Sequence, residues 1–177
     1  MKLIIGDTAP NIILPSIEGI MIDTGEIKTA YLLSFYRFAS CPFCNIRLHQ
    51  LIKRYKELDP NFIMIAVFDS PLENLTKHAS GHKAPFPILA DNSRKYYDRY
   101  GLTKSVTGMI KGMIFRFPTL VKAMLKGYFP FPIKGSLIGM PADFLIDENG
   151  TIQLAYYGKD EGDHVLFEKV LTFSKRN

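Results

Sequence analysis

Two stretches of this chain are almost continuously apolar and short enough to be buried strands, residues 31–38 (YLLSFYRF) and 62–68 (FIMIAVF). Between them the period changes. Ile46, Leu48, Leu51, Ile52, Tyr55 and Leu58 recur at helical spacing, which predicts a helix over 42–58 that stops at Asp59-Pro60. Asp69-Ser70-Pro71 followed by Glu73 is a helix start, so a second helix is expected over 72–79, then a loop over 81–87. Residues 88–90 read as a short strand, and 92–100 as a short helix ended by Gly101. Upstream, 12–14 and 21–23 are short extended runs on either side of the turn signal Glu18-Gly19. Downstream, ADFLI and TIQLAYY flank Asp147-Glu148-Asn149-Gly150, and Asn-Gly signals a hairpin. A closing helix over 163–174 presents Val165, Leu166, Val170, Leu171 and Phe173 on its apolar face. The alternating first part predicts an α/β fold with parallel strands and right-handed crossovers, and the closing hairpin adds antiparallel strands at one edge.

Residues 103–139 interrupt this order. Val106, Met109, Ile110, Met113, Ile114 and Phe117 lie at helical spacing, and Leu120, Val121, Met124 and Leu125 continue the stripe past Pro118. The pattern predicts two consecutive helices, with Pro118 starting or kinking the second. Phe129-Pro130-Phe131-Pro132 then ends them in an extended segment. From Lys104 to Gly139 there are six basic residues and no acidic one, against a net charge of +5 for the whole chain. The remainder is therefore near neutral, and a nucleic-acid-binding surface is not indicated. The stretch is assigned first to a helical subdomain packed on the sheet with solvated lysines. It is assigned second to a substrate or partner platform, and last to an amphipathic contact with a membrane surface.

A length of 177 residues with 47% apolar composition, 13 Phe and 9 Tyr is expected to form one domain with a substantial core. No apolar run reaches the roughly 18 residues needed to span a bilayer. The opening MKLIIGDTAPN lacks the apolar centre of a secretory signal, so a cytoplasmic location is expected.

The chain has only two cysteines, Cys41 and Cys44, spaced C-x-x-C where the first apolar run meets the predicted helix. That is too few for a disulfide framework. Zinc would need two further ligands, and His49, His78, His82 and His164 provide no second pair at ligand spacing, so no metal is expected. At a helix start, unpaired backbone N–H groups and the positive end of the helix dipole favour a thiolate over a thiol. Pro42 fixes one φ angle and removes a donor that would be unsatisfied there anyway. The dithiol is thus placed for redox chemistry, with no cofactor required.

Several segments carry a resemblance. Gly6-Asp7-Thr8-Ala9-Pro10 with Leu14, Phe86-Pro87-Ile88-Leu89-Ala90-Asp91, and Phe144-Leu145-Ile146-Asp147-Glu148-Asn149-Gly150-Thr151-Ile152 follow one another in the order of known family motifs. They resemble the peroxiredoxin-like (AhpC/TSA-type) branch of the thioredoxin-fold superfamily over nearly the whole chain outside 103–139. The resemblance implies a thioredoxin-like three-layer sandwich with a mixed central sheet, an N-terminal β-hairpin and a helical insertion before the last hairpin. Setting Cys44 on that branch's peroxidatic cysteine puts Arg37 at its proline position, Cys41 at its threonine and Pro141 at its arginine. The groups that polarise peroxide in the family are therefore replaced. Cys41-Pro42-Phe43-Cys44 is instead similar to the redox motif of thioredoxins and glutaredoxins, and Met140-Pro141 to their cis-proline position. The buried acid of thioredoxins, six residues before the first cysteine, is Phe35 here.

The reading that follows is a thiol–disulfide oxidoreductase in which Cys41 attacks a substrate disulfide and Cys44 resolves the mixed disulfide. The alternative is a thiol-dependent peroxidase with Cys44 peroxidatic and Cys41 resolving. A redox-inert binding module is the third. Arg37 is a candidate for stabilising a thiolate, against a solvent-facing charge at a strand end. Pro42, Phe43, Met140 and Pro141 are the substrate-facing candidates, with Phe43 and Phe38 also reading as packing around the site. His49 is read as a surface or packing residue, and Asp91 as a cap for the helix after it. Expected partners are a thiol, disulfide or peroxide substrate and an external thiol reductant. A homo-oligomer is left open.

Overall fold

The computed structural model describes residues 1–176. Its framework is a five-stranded mixed sheet in the order β5-β4-β3-β6-β7. The strands are β3 (Tyr31–Phe35), β4 (Ile63–Phe68), β5 (Ile88–Ala90), β6 (Ala142–Ile146) and β7 (Ile152–Tyr157). A separate antiparallel pair, β1 (Ile13–Pro15) and β2 (Met21–Asp23), forms the N-terminal hairpin. Helices α1 (Pro42–Arg54) and α2 (Leu72–Ala79) supply the crossovers of the parallel half, and α3 (Lys95–Arg99) follows β5. Helices α4 (Val106–Phe115) and α5 (Phe117–Leu125) follow, and α6 (Phe167–Ser174) closes the chain. The expected α/β, thioredoxin-like order is present, with β3–β4–β5 parallel and β6–β7 antiparallel at one edge.

The two apolar runs are continuous because both faces of their strands are covered. Leu32, Met64, Ala66 and Phe68 point to one side and join Leu48 and Leu51 of α1, Leu75 of α2 and Val170 of α6. Tyr31, Leu33, Phe35, Ile65 and Val67 point to the other and join Tyr96, Tyr97 and Tyr100 with Ile12 of the hairpin region. On that side Phe35 meets Tyr97 edge-on at 5.1 Å, and Phe144 meets Tyr157 at 5.5 Å. The Tyr97 hydroxyl donates to the Tyr36 carbonyl at 2.6 Å, so this cluster also clamps the chain as it leaves β3.

Three expectations are corrected. The first apolar strand ends at Phe35, not at 38. The Tyr36 N–H still reaches the Val67 carbonyl, but the Arg37 N–H turns away toward Cys44. The closing helix begins at Phe167, not at 163. Residues 163–166 are held outside the helix by other partners: the Val165 N–H donates to Asp143 Oδ2 at 2.8 Å, and Asp163 accepts from the Tyr156 hydroxyl at 2.7 Å.

The third correction concerns α4. Its apolar stripe does not pack on the sheet: Val106, Ile110, Met113, Ile114 and Phe115 are exposed. The inward side is formed by Gly108 and Gly112. A Cβ at Gly108 would lie 2.7 Å from the Lys159 carbonyl oxygen, and one at Gly112 would run into the Glu161 carboxylate. The helix sits close enough to the body of the protein that only glycine fits, and its large side chains face outward. α5 buries Ala123 and lies against α1.

Asp143 on β6 is fully buried and accepts from Ser34 Oγ at 2.6 Å and from the Val165 N–H, with His164 Nδ1 at 3.0 Å. Burial pushes its carboxyl up, but His164, Arg47 and Ser34 outweigh that and hold it below the usual carboxylate range. A depressed folded-state pKa contributes stability that is present above the unfolded value of about 3.9 and lost as pH falls through the folded one. Asp143→Ala is expected to lower stability by about 3 to 5 kcal/mol at pH 7, since three buried partners lose their acceptor. Urea unfolding across pH checks this: the gap between native and variant proteins should narrow below pH ~4.

Candidate functional site

Both cysteines are buried and free at the start of α1. Cys41 is the N-cap residue with extended backbone (φ −63°, ψ 120°), and Pro42 is the first helical residue. The Cys44 N–H donates to Cys41 Sγ at 3.4 Å, so a sulfur fills the role usually taken by a serine or aspartate oxygen. The Arg37 guanidinium is 3.9 Å from the same sulfur through Nη1. Cys44 Sγ, one turn further in, accepts the Arg37 N–H at 3.4 Å.

These contacts separate the two thiols. Burial pushes Cys41 up, but a hydrogen bond from Cys44, the charge of Arg37 and the N–H groups of Cys44 and Phe43 outweigh it and bring it to about 7. Burial, then the sulfur of Cys41, holds Cys44 well above the usual thiol range. Cys41 is the thiolate former of the pair at neutral pH.

Arg37 is 4% exposed, so it is not the solvent-facing charge that its place after a strand allowed. Its Nη2 donates to the Leu137 carbonyl, in the strap of residues 129–139 that runs from α5 to β6. The strap is tied to the loop that carries the dithiol. Ser40 Oγ donates to the Pro132 carbonyl at 2.8 Å, and the Ser136 N–H donates to Asp69 Oδ2 at 2.9 Å. Asp69 is paired in turn with Arg94. Gly135 has φ +139°, and a Cβ there would overlap the Asp69 carbonyl.

With this geometry in hand, the sequence model of the AhpC/TSA family matches residues 5–155. The chain belongs to the AhpC/TSA family. It is accordingly an oxidoreductase working through its thiols, and the thioredoxin-like fold expected from the motifs is confirmed. No curated protein matches its sequence. Among solved structures, the peroxidoxin BcpB of Mycobacterium tuberculosis superposes with a TM-score of 0.70 at 15% identity, covering 98% of this chain and 97% of that one. A thiol peroxidase of Chromobacterium violaceum gives 0.65 at 16% identity, with 96% and 85% covered. A putative thiol:disulfide interchange protein DsbE of Chlorobium tepidum gives 0.57 at 20% identity, with 88% and 86% covered. At these identities the likeness is one of fold.

Within this AhpC/TSA protein, Met140 and Pro141 sit differently from the expectation. The Met140–Pro141 peptide is trans, and the cis X–Pro bond lies at Phe131–Pro132 in the strap. The backbone here is already paired: the Met140 N–H donates to the Thr103 carbonyl at 3.0 Å, and the Pro141 carbonyl accepts the Gly158 N–H at 2.9 Å. Met140 itself is packed against Gly108 of α4. The segment entering α4 thus occupies the backbone edge at Met140. Phe43 borders a cleft of about 750 Å³ whose walls include Arg47, Arg116, Thr119 and His164.

Other residues around the site were not singled out from the sequence. Asn45 Nδ2 donates to the carbonyls of Ala39 (2.8 Å) and Cys41 (2.9 Å), and its Oδ1 lies 2.8 Å from His82 Nε2. It fixes the loop carrying Cys41. An asparagine among the inward positions of an amphipathic helix was the available signal. Asp143 supplies a buried acid on β6, where the thioredoxin position holds Phe35. It is directly opposite Ser34 in the ladder, and His164 beside it is 5.0 Å from the Tyr36 ring. Asp91 caps α3 as expected, accepting the Tyr96 N–H at 2.8 Å.

Two outcomes are expected. Thiolate absorbance of the reduced protein should show a midpoint near 7 that rises in Arg37→Met, because the variant loses the cation beside Cys41. Gly135→Ala forces a side chain into a left-handed backbone at a cost of about 1–2 kcal/mol. Alkylation of Cys41 at fixed pH should then accelerate roughly ten-fold as the strap loosens.

Proposed function

We propose that this protein is a thiol–disulfide oxidoreductase in which Cys41 is the nucleophile and Cys44 the resolving thiol. The observation that carries the reading is the opposite displacement of the two thiols. Cys41 is drawn down to about 7 by the Cys44 thiol, Arg37 and the first-turn N–H groups, while burial and Cys41 hold Cys44 up. Attack by the Cys41 thiolate on a substrate disulfide forms the mixed disulfide and expels one substrate thiolate. Cys44 then loses its proton to that departing thiolate or to water and attacks Cys41 Sγ. The mixed disulfide breaks, the second substrate thiolate leaves, and the protein holds a Cys41–Cys44 disulfide. Two electrons have passed to the substrate, and an external thiol reductant restores the dithiol. As the Cys41 electron pair is used, Arg37 remains beside the sulfur to hold whichever anion is present. The strap of 129–139 shields the pair, so a substrate gains Cys41 by displacing it at 132–137.

A peroxidase reading with Cys44 peroxidatic draws on family membership and on the Arg37 N–H aimed at Cys44 Sγ. The high pKa of Cys44 weighs against it, because the thiolate is the attacking species. Membership of an oxidoreductase family leaves the redox-inert reading without support.

Single-cysteine variants separate the two. Cys44→Ser incubated with an aromatic disulfide should accumulate a mixed disulfide on Cys41, seen as an intact-mass increase that dithiothreitol removes. Failure to trap it while Cys41 remains a free thiol rules out the exchange assignment. Rapid sulfenic acid formation in Cys41→Ser at low peroxide would establish the peroxidase instead.

A further inference from the structure

The outward face of α4 and α5 is the feature the redox chemistry does not use. Ile110 is 50% exposed, Ile114 64%, Phe115 79% and Leu125 84%, with Val106, Met113, Phe117, Val121 and Met124 also exposed. This is a built arrangement. The closest inward positions are Gly108, Gly112 and Ala123, which approach Lys159, Glu161 and α1, and apart from the half-buried Leu120 most large apolar side chains of the two helices face outward. Apolar residues in such numbers on consecutive helices mark a contact surface.

Charge identifies what it contacts. Lys104, Lys111, Lys122, Lys126 and Lys134 are all exposed in this segment, and no acidic residue occurs from 104 to 139. The remaining cation, Arg116, is paired with Asp160. A second copy docking through the same face would bring like charges together in a two-fold contact. An anionic lipid surface meets both components: apolar side chains enter the headgroup boundary while lysine stems reach along it to the anionic groups. The helices have 10 and 9 residues, or about 15 and 14 Å, which suits lying in the interface and not crossing it.

We infer that α4 and α5 form a docking face for anionic membrane surfaces. This is independent of which thiol chemistry Cys41 and Cys44 perform. The experiment is co-sedimentation of the whole protein with phosphatidylcholine vesicles and with vesicles that also contain phosphatidylglycerol. The expected result is binding to the anionic vesicles at low salt, weak binding to the neutral ones, and loss of binding as salt rises. Lys111→Gln, Lys122→Gln and Lys126→Gln should each weaken binding by about five-fold. Ile110→Glu with Ile114→Glu should abolish it while leaving the circular dichroism and the reaction with a soluble disulfide unchanged, since both positions are open to water in the free protein. Absence of binding to anionic vesicles at low salt overturns the inference, as does equal binding to neutral vesicles or undiminished binding of the glutamate variant. Concentration-dependent self-association that the glutamate substitutions remove, without vesicle binding, would assign the face to a second copy and overturn it equally.

Discussion

The site depends on one buried cation. Arg37 leaves the end of β3 with its backbone N–H on Cys44 Sγ, its guanidinium beside Cys41 Sγ and its Nη2 on the strap carbonyl of Leu137. Among the described residues no carboxylate lies within ion-pair distance of it. A buried charge without a close partner is costly, and a thiolate on Cys41 offsets part of that cost beside the more distant carboxylate of Glu161. The same side chain therefore favours the reactive form of one sulfur and ties the cover down over both. Reactivity and closure are linked through a single guanidinium.

The cover follows from close packing elsewhere. Asp69 sits where β4 ends, receives Arg94 from the start of α3 and the Ser136 N–H from the strap, and its carbonyl leaves room only for glycine at 135. Gly108 and Gly112 let α4 approach in the same way. With the segment before α4 pairing to Met140, the backbone edge beside the dithiol is filled from within the chain. This AhpC/TSA-family chain has thus buried both sulfurs of its C-x-x-C pair.

Much of this was legible in the residues themselves. The β4 run, the α1 stripe, the Asn149-Gly150 hairpin and the two helices around Pro118 rest on local periodicity and turn chemistry, which the finished fold did not override. The placement of Cys41 at the α1 N-cap was equally local. The misjudgements share a cause. A helical subdomain packed on the sheet is expected for 103–139, but apolar periodicity does not say which side of a helix meets the protein, and α4 meets it through Gly108 and Gly112. The expected start of the closing helix at 163 fails because Asp143, twenty-two residues upstream in sequence, takes the Val165 N–H. The backbone edge at Met140-Pro141 was read as open because its partner, Thr103, lies across the insertion.

The sequence by itself determined the elements, the family and the pair of sulfurs at a helix start, because each is written in neighbouring residues. Only the tertiary structure decided which sulfur ionises more readily, that Arg37 is buried, that a strap is tied to the loop carrying the dithiol and that α4 turns its apolar side outward. Those depend on residues tens of positions apart meeting in one place, where burial and charge act through space and not along the chain.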